Sequence, residues 1–258
     1  MNRRRSLFTL AALAPLIAAG CMSSTDSGGG NGPTTQSATG VWSGTDSVSG
    51  LGLTALINAA GQAMFIRADG MLFTGTVQVD GSNLALSVDG YPDFAQLFSD
   101  GSDYGIGTLN GNVTSGSSIT ATLSFMTSNN TAITGDWSLN YEALSDDGSS
   151  TTAISGNFTD NVTATVYSIS TTGALSGQNQ SNGCTLSGSV SSADSMHDLY
   201  EITYTYANCT GTYAALNGVQ LSGLATLNSM LSPAQITLAL TGATASDHFG
   251  LVATLTGS

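Results

Sequence analysis

Ile119-Thr120-Ala121-Thr122-Leu123-Ser124-Phe125 carries an apolar residue at every second position and a hydroxyl between. A period of two sends alternate side chains to opposite faces of an extended chain, so this stretch reads as a strand with one face in a core and one in water. The same alternation returns at Phe73, Gly75, Val77 and Val79, at Leu84, Leu86 and Val88, and at Trp137, Leu139 and Tyr141. It continues at Val162, Ala164 and Val166, at Tyr200, Ile202, Tyr204 and Tyr206, at Ile236, Leu238 and Leu240, and at Leu251, Ala253 and Leu255. Turn-forming pairs punctuate these runs: Asp69-Gly70, Asp80-Gly81, Asn110-Gly111, Asn182-Gly183 and Asn217-Gly218. A single segment has another period. In Pro92-Asp93-Phe94-Ala95-Gln96-Leu97-Phe98, the three large apolar residues share a helical face, and Pro-Asp suits a first turn. The expectation is an all-β chain interrupted by one short helix.

The chain also echoes itself. Asp69-Gly70 followed by Gly75-Thr76-Val77 matches Asn182-Gly183 followed by Gly188-Ser189-Val190 at an offset of 113 residues. Gly40-Val41-Trp42 matches Gly156-Asn157-Phe158 at 116, and Gly61 matches Gly173 at 112. Between the halves, Ser145-Asp146-Asp147-Gly148-Ser149-Ser150 is polar and without period. These offsets predict two similar antiparallel β units, 39–144 and 151–258, joined by a polar linker. Each must close into a barrel or split into a sandwich to hide its edges.

Charge narrows the partners. Lysine is absent, three of the four arginines are Arg3, Arg4 and Arg5, and all 17 acidic residues lie after Cys21. From Cys21 onward, Arg67 alone stands against those 17, a formal charge of −16. Phosphate binding requires clustered Lys and Arg, so nucleic acid is excluded as a partner. Cys184 and Cys209 form an even pair, expected to be a disulfide in an oxidising compartment.

The first 20 residues read as an export signal. Arg3 to Arg5 form a cationic head, Leu7 to Ala19 an apolar run, and Ala18-Ala19-Gly20-Cys21 a small-residue junction. The run is shorter than the roughly 20 residues that span a bilayer. This junction resembles the lipobox of bacterial lipoproteins. The resemblance implies a lipid on Cys21, a membrane anchor, and, with Met22-Ser23 following, placement at the outer membrane of the envelope. Residues 21–38 then form a flexible Ser/Gly tether, with Gly28-Gly29-Gly30 in its middle. Lipid, tether and tandem β units together resemble poorly characterised lipoproteins of Gram-negative bacteria. Gly40-Val41-Trp42, with Ser102-Asp103-Tyr104 further on, is similar to motifs of lipocalins and implies barrel packing, and in the alternative reading an apolar ligand cavity.

Residues for chemistry are sparse. His197 and His248 each have serine and aspartate close in sequence, but a catalytic triad is a spatial arrangement, and no G-x-S-x-G turn is present. Both histidines are expected to be solvated loop residues. The acidic loops around Asp89, Asp100 and Asp146 lack the ligand series of a calcium loop. No catalytic residue, metal or cofactor is assigned. The leading expectation is a non-enzymatic, membrane-anchored binding or surface module with an unknown protein or small apolar ligand as partner. A lipocalin-like carrier is second and an enzyme third. Phe94, Leu97 and Phe98 are the candidate lid or contact face, or else a plug that turns inward.

Overall fold

The computed structural model describes residues 35–93, 96–244 and 247–258. Cys21, the signal segment, most of the tether and Phe94 lie outside the described residues. The chain is all-β and forms two antiparallel eight-stranded barrels. The first is built from β1 (Gly40–Asp46), β2 (Gly52–Ile57), β3 (Gln62–Arg67), β4 (Leu72–Thr76), β6 (Asn83–Tyr91), β7 (Gly105–Thr114), β8 (Ser118–Thr127) and β9 (Ala132–Tyr141). It closes through β1 on β9 and β4 on β6, while the short β5 (Gln78–Asp80) extends the pairing of β6. The second runs through β10 (Gly156–Asp160), β11 (Thr165–Ile169), β12 (Ala174–Asn179), β13 (Thr185–Asp194), β14 (Leu199–Ala207), β15 (Gln220–Asn228), β16 (Gln235–Ala243) and β17 (His248–Gly257). It closes through β10 on β17.

The repeat holds in register. Trp42 pairs with Tyr141 where the first barrel closes, and Phe158 pairs with Gly257 where the second does, an offset of 116 on both sides. Gly61 and Gly173 hold the same turn, at φ +81° and +82°, and their carbonyls accept the amides of Val77 and Val190 at 2.8 and 2.7 Å. A Cβ would collide with the carbonyl oxygens of those valines, at 2.8 and 2.1 Å, so glycine is required twice.

A second correspondence escaped the sequence reading. Asp46 is fully buried, accepts the amide of Val48 at 3.0 Å, and takes a hydrogen bond from the Ser49 hydroxyl at 2.6 Å. Asp160, also buried, does the same with Val162 at 2.8 Å and Thr163 at 2.6 Å. Asp46-Ser47-Val48-Ser49 and Asp160-Asn161-Val162-Thr163 are thus one Asx turn used twice. That turn corrects one expected strand: Val162 is 94% exposed, Ala164 sits at φ +57°, and β11 begins only at Thr165, with Tyr167 and Ile169 buried instead. Asn110-Gly111 is likewise no turn but lies inside β7. There a Cβ on Gly111 would stand 2.0 Å from the Thr120 carbonyl oxygen, so this glycine allows close strand approach.

Aromatic residues fill both interiors. In the first barrel Phe73 lies 5.3 Å from Phe125 and 5.5 Å from Trp137, and Phe65 lies 5.2 Å from Trp137. In the second, Tyr204 stands 6.5 Å from Tyr167 and 5.3 Å from Tyr206. Eight-stranded barrels are just wide enough for side chains to fill.

The barrels are not independent. A third core joins the outer faces of β1 to β4, through Val41, Leu56, Met64, Ile66 and Leu72, to Leu199, Leu224 and Ala239 of the second barrel. Both barrels belong to one compact unit. The expected polar linker is a 3-10 helix, Ala143–Asp147, and its Ser145 is fully buried. The Ser145 hydroxyl oxygen accepts the Val41 amide at 3.1 Å, and its carbonyl accepts the Asp198 amide at 2.8 Å, so one residue hydrogen-bonds both barrels. Asp198 is itself buried, and its carboxylate accepts the Thr226 hydroxyl and the Leu227 amide, each at 2.7 Å.

Two outcomes follow. Brief digestion with a broad-specificity protease should leave 145–150 intact, because Ser145 is buried between the barrels and the Ser149 hydroxyl donates to the Asp194 carbonyl at 2.7 Å. Early cleavage there into two β fragments would contradict the shared core. Burial raises the Asp198 carboxyl above its ordinary value of 3.8. The native state therefore binds this proton more readily than the unfolded chain, so its contribution is fully present below 3.8 and is lost as pH rises through the native value. Wild type should gain stability relative to Asp198→Asn as pH falls from neutrality toward that range, measured by urea unfolding. Parallel pH profiles would remove the assignment.

Candidate functional site

The connections after β6 and after β14 occupy equivalent places in the repeat and face one another. The β6–β7 connection contains no helix among its described residues, which corrects the expected helical face. Leu97 and Phe98 point apart: Leu97 is 61% exposed and Phe98 is 6% exposed. Phe98 enters the first core and packs 5.8 Å from Phe125. Its amide donates to the Ser102 carbonyl at 2.8 Å, closing a tight loop. Asp100 pins that loop. Its carboxylate accepts the Ser102 hydroxyl at 2.5 Å and the Thr127 hydroxyl, and these bonds hold the carboxyl well below the usual range. Phe98 is therefore the plug, and Leu97 is left outside.

The β14–β15 connection seals the second barrel in its own way. Its 3-10 helix, Gly211–Leu216, buries Leu216 in the second core. A Cys184–Cys209 disulfide, 25 residues apart, ties the β12–β13 turn to the start of this connection. As expected from the sequence, it braces the paired strands β13 and β14, where Thr185 faces Ala207.

Between these two plugs lies a cleft of about 410 Å³. Pro92, Asp93, Gln96, Leu97 and Asp103 line it from the first barrel. Tyr213, Ala215, Leu216, Asp247, His248 and Phe249 line it from the second. Its floor is Gly250, where a Cβ would stand 2.7 Å from the Tyr91 Cβ, so a larger residue would push the barrels apart. His248 is exposed, as expected, but it opens β17 and does not lie in a loop. Its ring stacks on Tyr104 at 4.4 Å and 22°, and its backbone amide donates to the Asp103 carboxylate at 3.1 Å. The Tyr104 hydroxyl donates to Asp89, and burial together with that carboxylate pushes the phenol upward, so it stays protonated. Tyr91, Tyr104 and His248 thus form an aromatic cluster across the two barrels, of which His248 lines the cleft.

The other histidine is apart from this cleft. His197 Nδ1 lies 2.5 Å from Asp194 Oδ2, within one turn. Among the described residues no group of three or more His, Cys, Asp or Glu side chains is placed to hold a metal. The acidic loops have internal work: Asp89 holds Tyr104, Asp100 holds the plug loop, and Asp146 accepts the Tyr141 hydroxyl at 2.7 Å. Trp42, the aromatic of the lipocalin-like motif, is fully buried, donates to the Ala38 carbonyl at 2.9 Å, and meets the edge of Tyr141 at 5.0 Å. The sequence reading found Leu97 and Phe98 but missed Tyr213 and His248 as their neighbours. Only the repeat offset of 116, which maps the β6–β7 connection onto the β14–β15 connection, signals that the two belong together.

Phe98→Ala should cost roughly 3–5 kcal/mol in urea unfolding, the range for truncating a buried aromatic. Leu97→Ala should stay within about 0.5 kcal/mol, as surface changes do. Equal losses at the two positions would refute the division into plug and contact residue.

No known protein family matches the chain, and no curated protein matches it, so the chemistry of the cleft stands on its own residues.

Proposed function

We propose that this protein is a non-enzymatic binding module, held at the outer membrane of a bacterial envelope by a lipid on Cys21, and that it binds its partner in the cleft between the barrels. The observation that carries the reading is the position of the cleft. The chain enters β1 at one end of the first barrel, where Gln36 and Ser37 bond to the turns at Gly81 and Ser115. The cleft lies at the opposite end, beside the β6–β7 connection. The point where the tether joins the barrels is therefore at the end away from the cleft, which leaves the cleft clear of the attachment. Val48, Leu97, Ile106, Met126, Val162 and Tyr213 are exposed apolar side chains at the cleft end, while Met196, Met230 and Leu231 are exposed at the other. The aromatic filling of both barrels supports a surface site over the lipocalin-like alternative of an internal apolar ligand.

The two parts are tested separately. Radiolabelled palmitate should enter the wild type and not Cys21→Ser, and equal labelling would remove the anchor. Nile red, a neutral apolar dye, should bind saturably to the folded chain and about tenfold more weakly to Leu97→Ser. Unchanged binding in a variant of unchanged stability would remove the cleft.

A further inference from the structure

We infer that the inter-barrel cleft takes a basic, partly apolar peptide segment of a partner protein. The inference rests on the cleft being the binding site and adds the chemistry of its occupant. The walls divide into two kinds. Pro92, Leu97, Leu216 and Phe249 are apolar, whereas Asp93 and Asp247 bring carboxylates from opposite barrels. Lysine and arginine side chains combine an apolar stem with a cationic head and can satisfy both kinds at once. Tyr213, 37% exposed at the mouth, adds an aromatic face of the sort cations favour.

Among the described residues that line the cleft there is no Lys or Arg, and His248 is its one basic side chain, 3.9 Å from the Asp103 carboxylate. Arg67 is the sole Lys or Arg among the described residues. It is buried, with its guanidinium 2.8 Å from Asp69 and 3.9 Å from Asp46. An anionic segment would enter against a formal charge of −16 downstream of Cys21. The same count excludes a second copy as the donor of the cation, because its own arginine is held in its core. A basic residue in the cleft therefore comes from another molecule. A volume of about 410 Å³ lies within the usual range of ligand sites and admits a few side chains, not a folded surface.

The test is titration calorimetry on the folded chain with an acetylated, amidated Lys-Leu-Lys-Leu-Lys peptide, its glutamate counterpart, and spermidine. The lysine peptide should bind saturably and the glutamate peptide should not. Asp93→Asn/Asp247→Asn should weaken the lysine peptide by about two- to twenty-fold, the sum of two exposed charge pairs. Asp80→Asn/Asp136→Asn removes the same charge from the outer strands, where both side chains are exposed, and should change binding by less than about twofold. Equal losses in the two double variants would reduce the effect to overall charge and overturn the inference. Spermidine binding as tightly as the peptide would overturn the assignment to a polypeptide. Thermal unfolding checks each variant, and Asp93→Asn alone, with a loss of up to about fivefold, serves if the pair is unstable. Nile red in the cleft without lysine-peptide binding would sink this inference and leave the binding site standing. Failure of both probes would remove both.

Discussion

The structure depends on covering an outer strand face that carries leucine and methionine where the rest of the barrels carry threonine and serine. Leu56, Met64, Ile66 and Leu72 point away from the interior of the first barrel, and each is buried. Leu199 and Leu224 meet them from the second barrel, also fully buried. Each such side chain contributes roughly 1.5–3 kcal/mol when taken out of water, so the joint outweighs any single hydrogen bond across it. Once these faces meet, corresponding barrel ends lie together, Ser145 is trapped between them, and the two end connections are brought face to face. The cleft is a product of that joint.

Polar groups inside the barrels follow the repeat, although their chemistry has diverged. The first barrel places Asp46 beside Arg67 at 3.9 Å. At the equivalent place the second has Asp160 with Asn179, whose amide donates to the Thr163 carbonyl at 2.7 Å and the Thr165 hydroxyl at 3.0 Å. A buried charge is costly without a partner, and a buried amide needs its hydrogen bonds. Both barrels meet this demand at the end that bears the plugs. The one buried cation serves the first interior, which leaves the described surface without exposed Lys or Arg.

Strand faces and the repeat were legible in the sequence, because period-two alternation and repeated turn glycines are local signals. Tyr200, Ile202, Tyr204 and Tyr206 are buried on one face as the alternation implies. The joint was less legible. Ala63-Met64-Phe65-Ile66 breaks the alternation, and such a run is the mark of a strand buried on both faces, but it does not say what covers the second face. The linker was legible as a polar segment without period, but nothing in it signals that Ser145 is buried, where backbone amides of both barrels bond it. At the site, a helical period was read across Leu97 and Phe98, where loop hydrogen bonds to Ser102 send neighbouring side chains opposite ways. Tyr213 and His248 come from distant parts of the chain, and their meeting depends on the joint.

The most direct measurement of that joint uses a reporter in one barrel and a perturbation in the other. Both tryptophans, Trp42 and Trp137, lie in the core of the first barrel. Leu224→Asp places a charge on the outer face of the second barrel, facing the joint. Urea unfolding followed by tryptophan fluorescence should show a single transition in wild type. In the variant the first barrel should lose roughly 3–5 kcal/mol although none of its residues has changed, the order expected when an uncompensated charge is buried. An unchanged fluorescence transition, with the second barrel alone unfolding early by hydrogen exchange, would show two independent barrels and contradict the account.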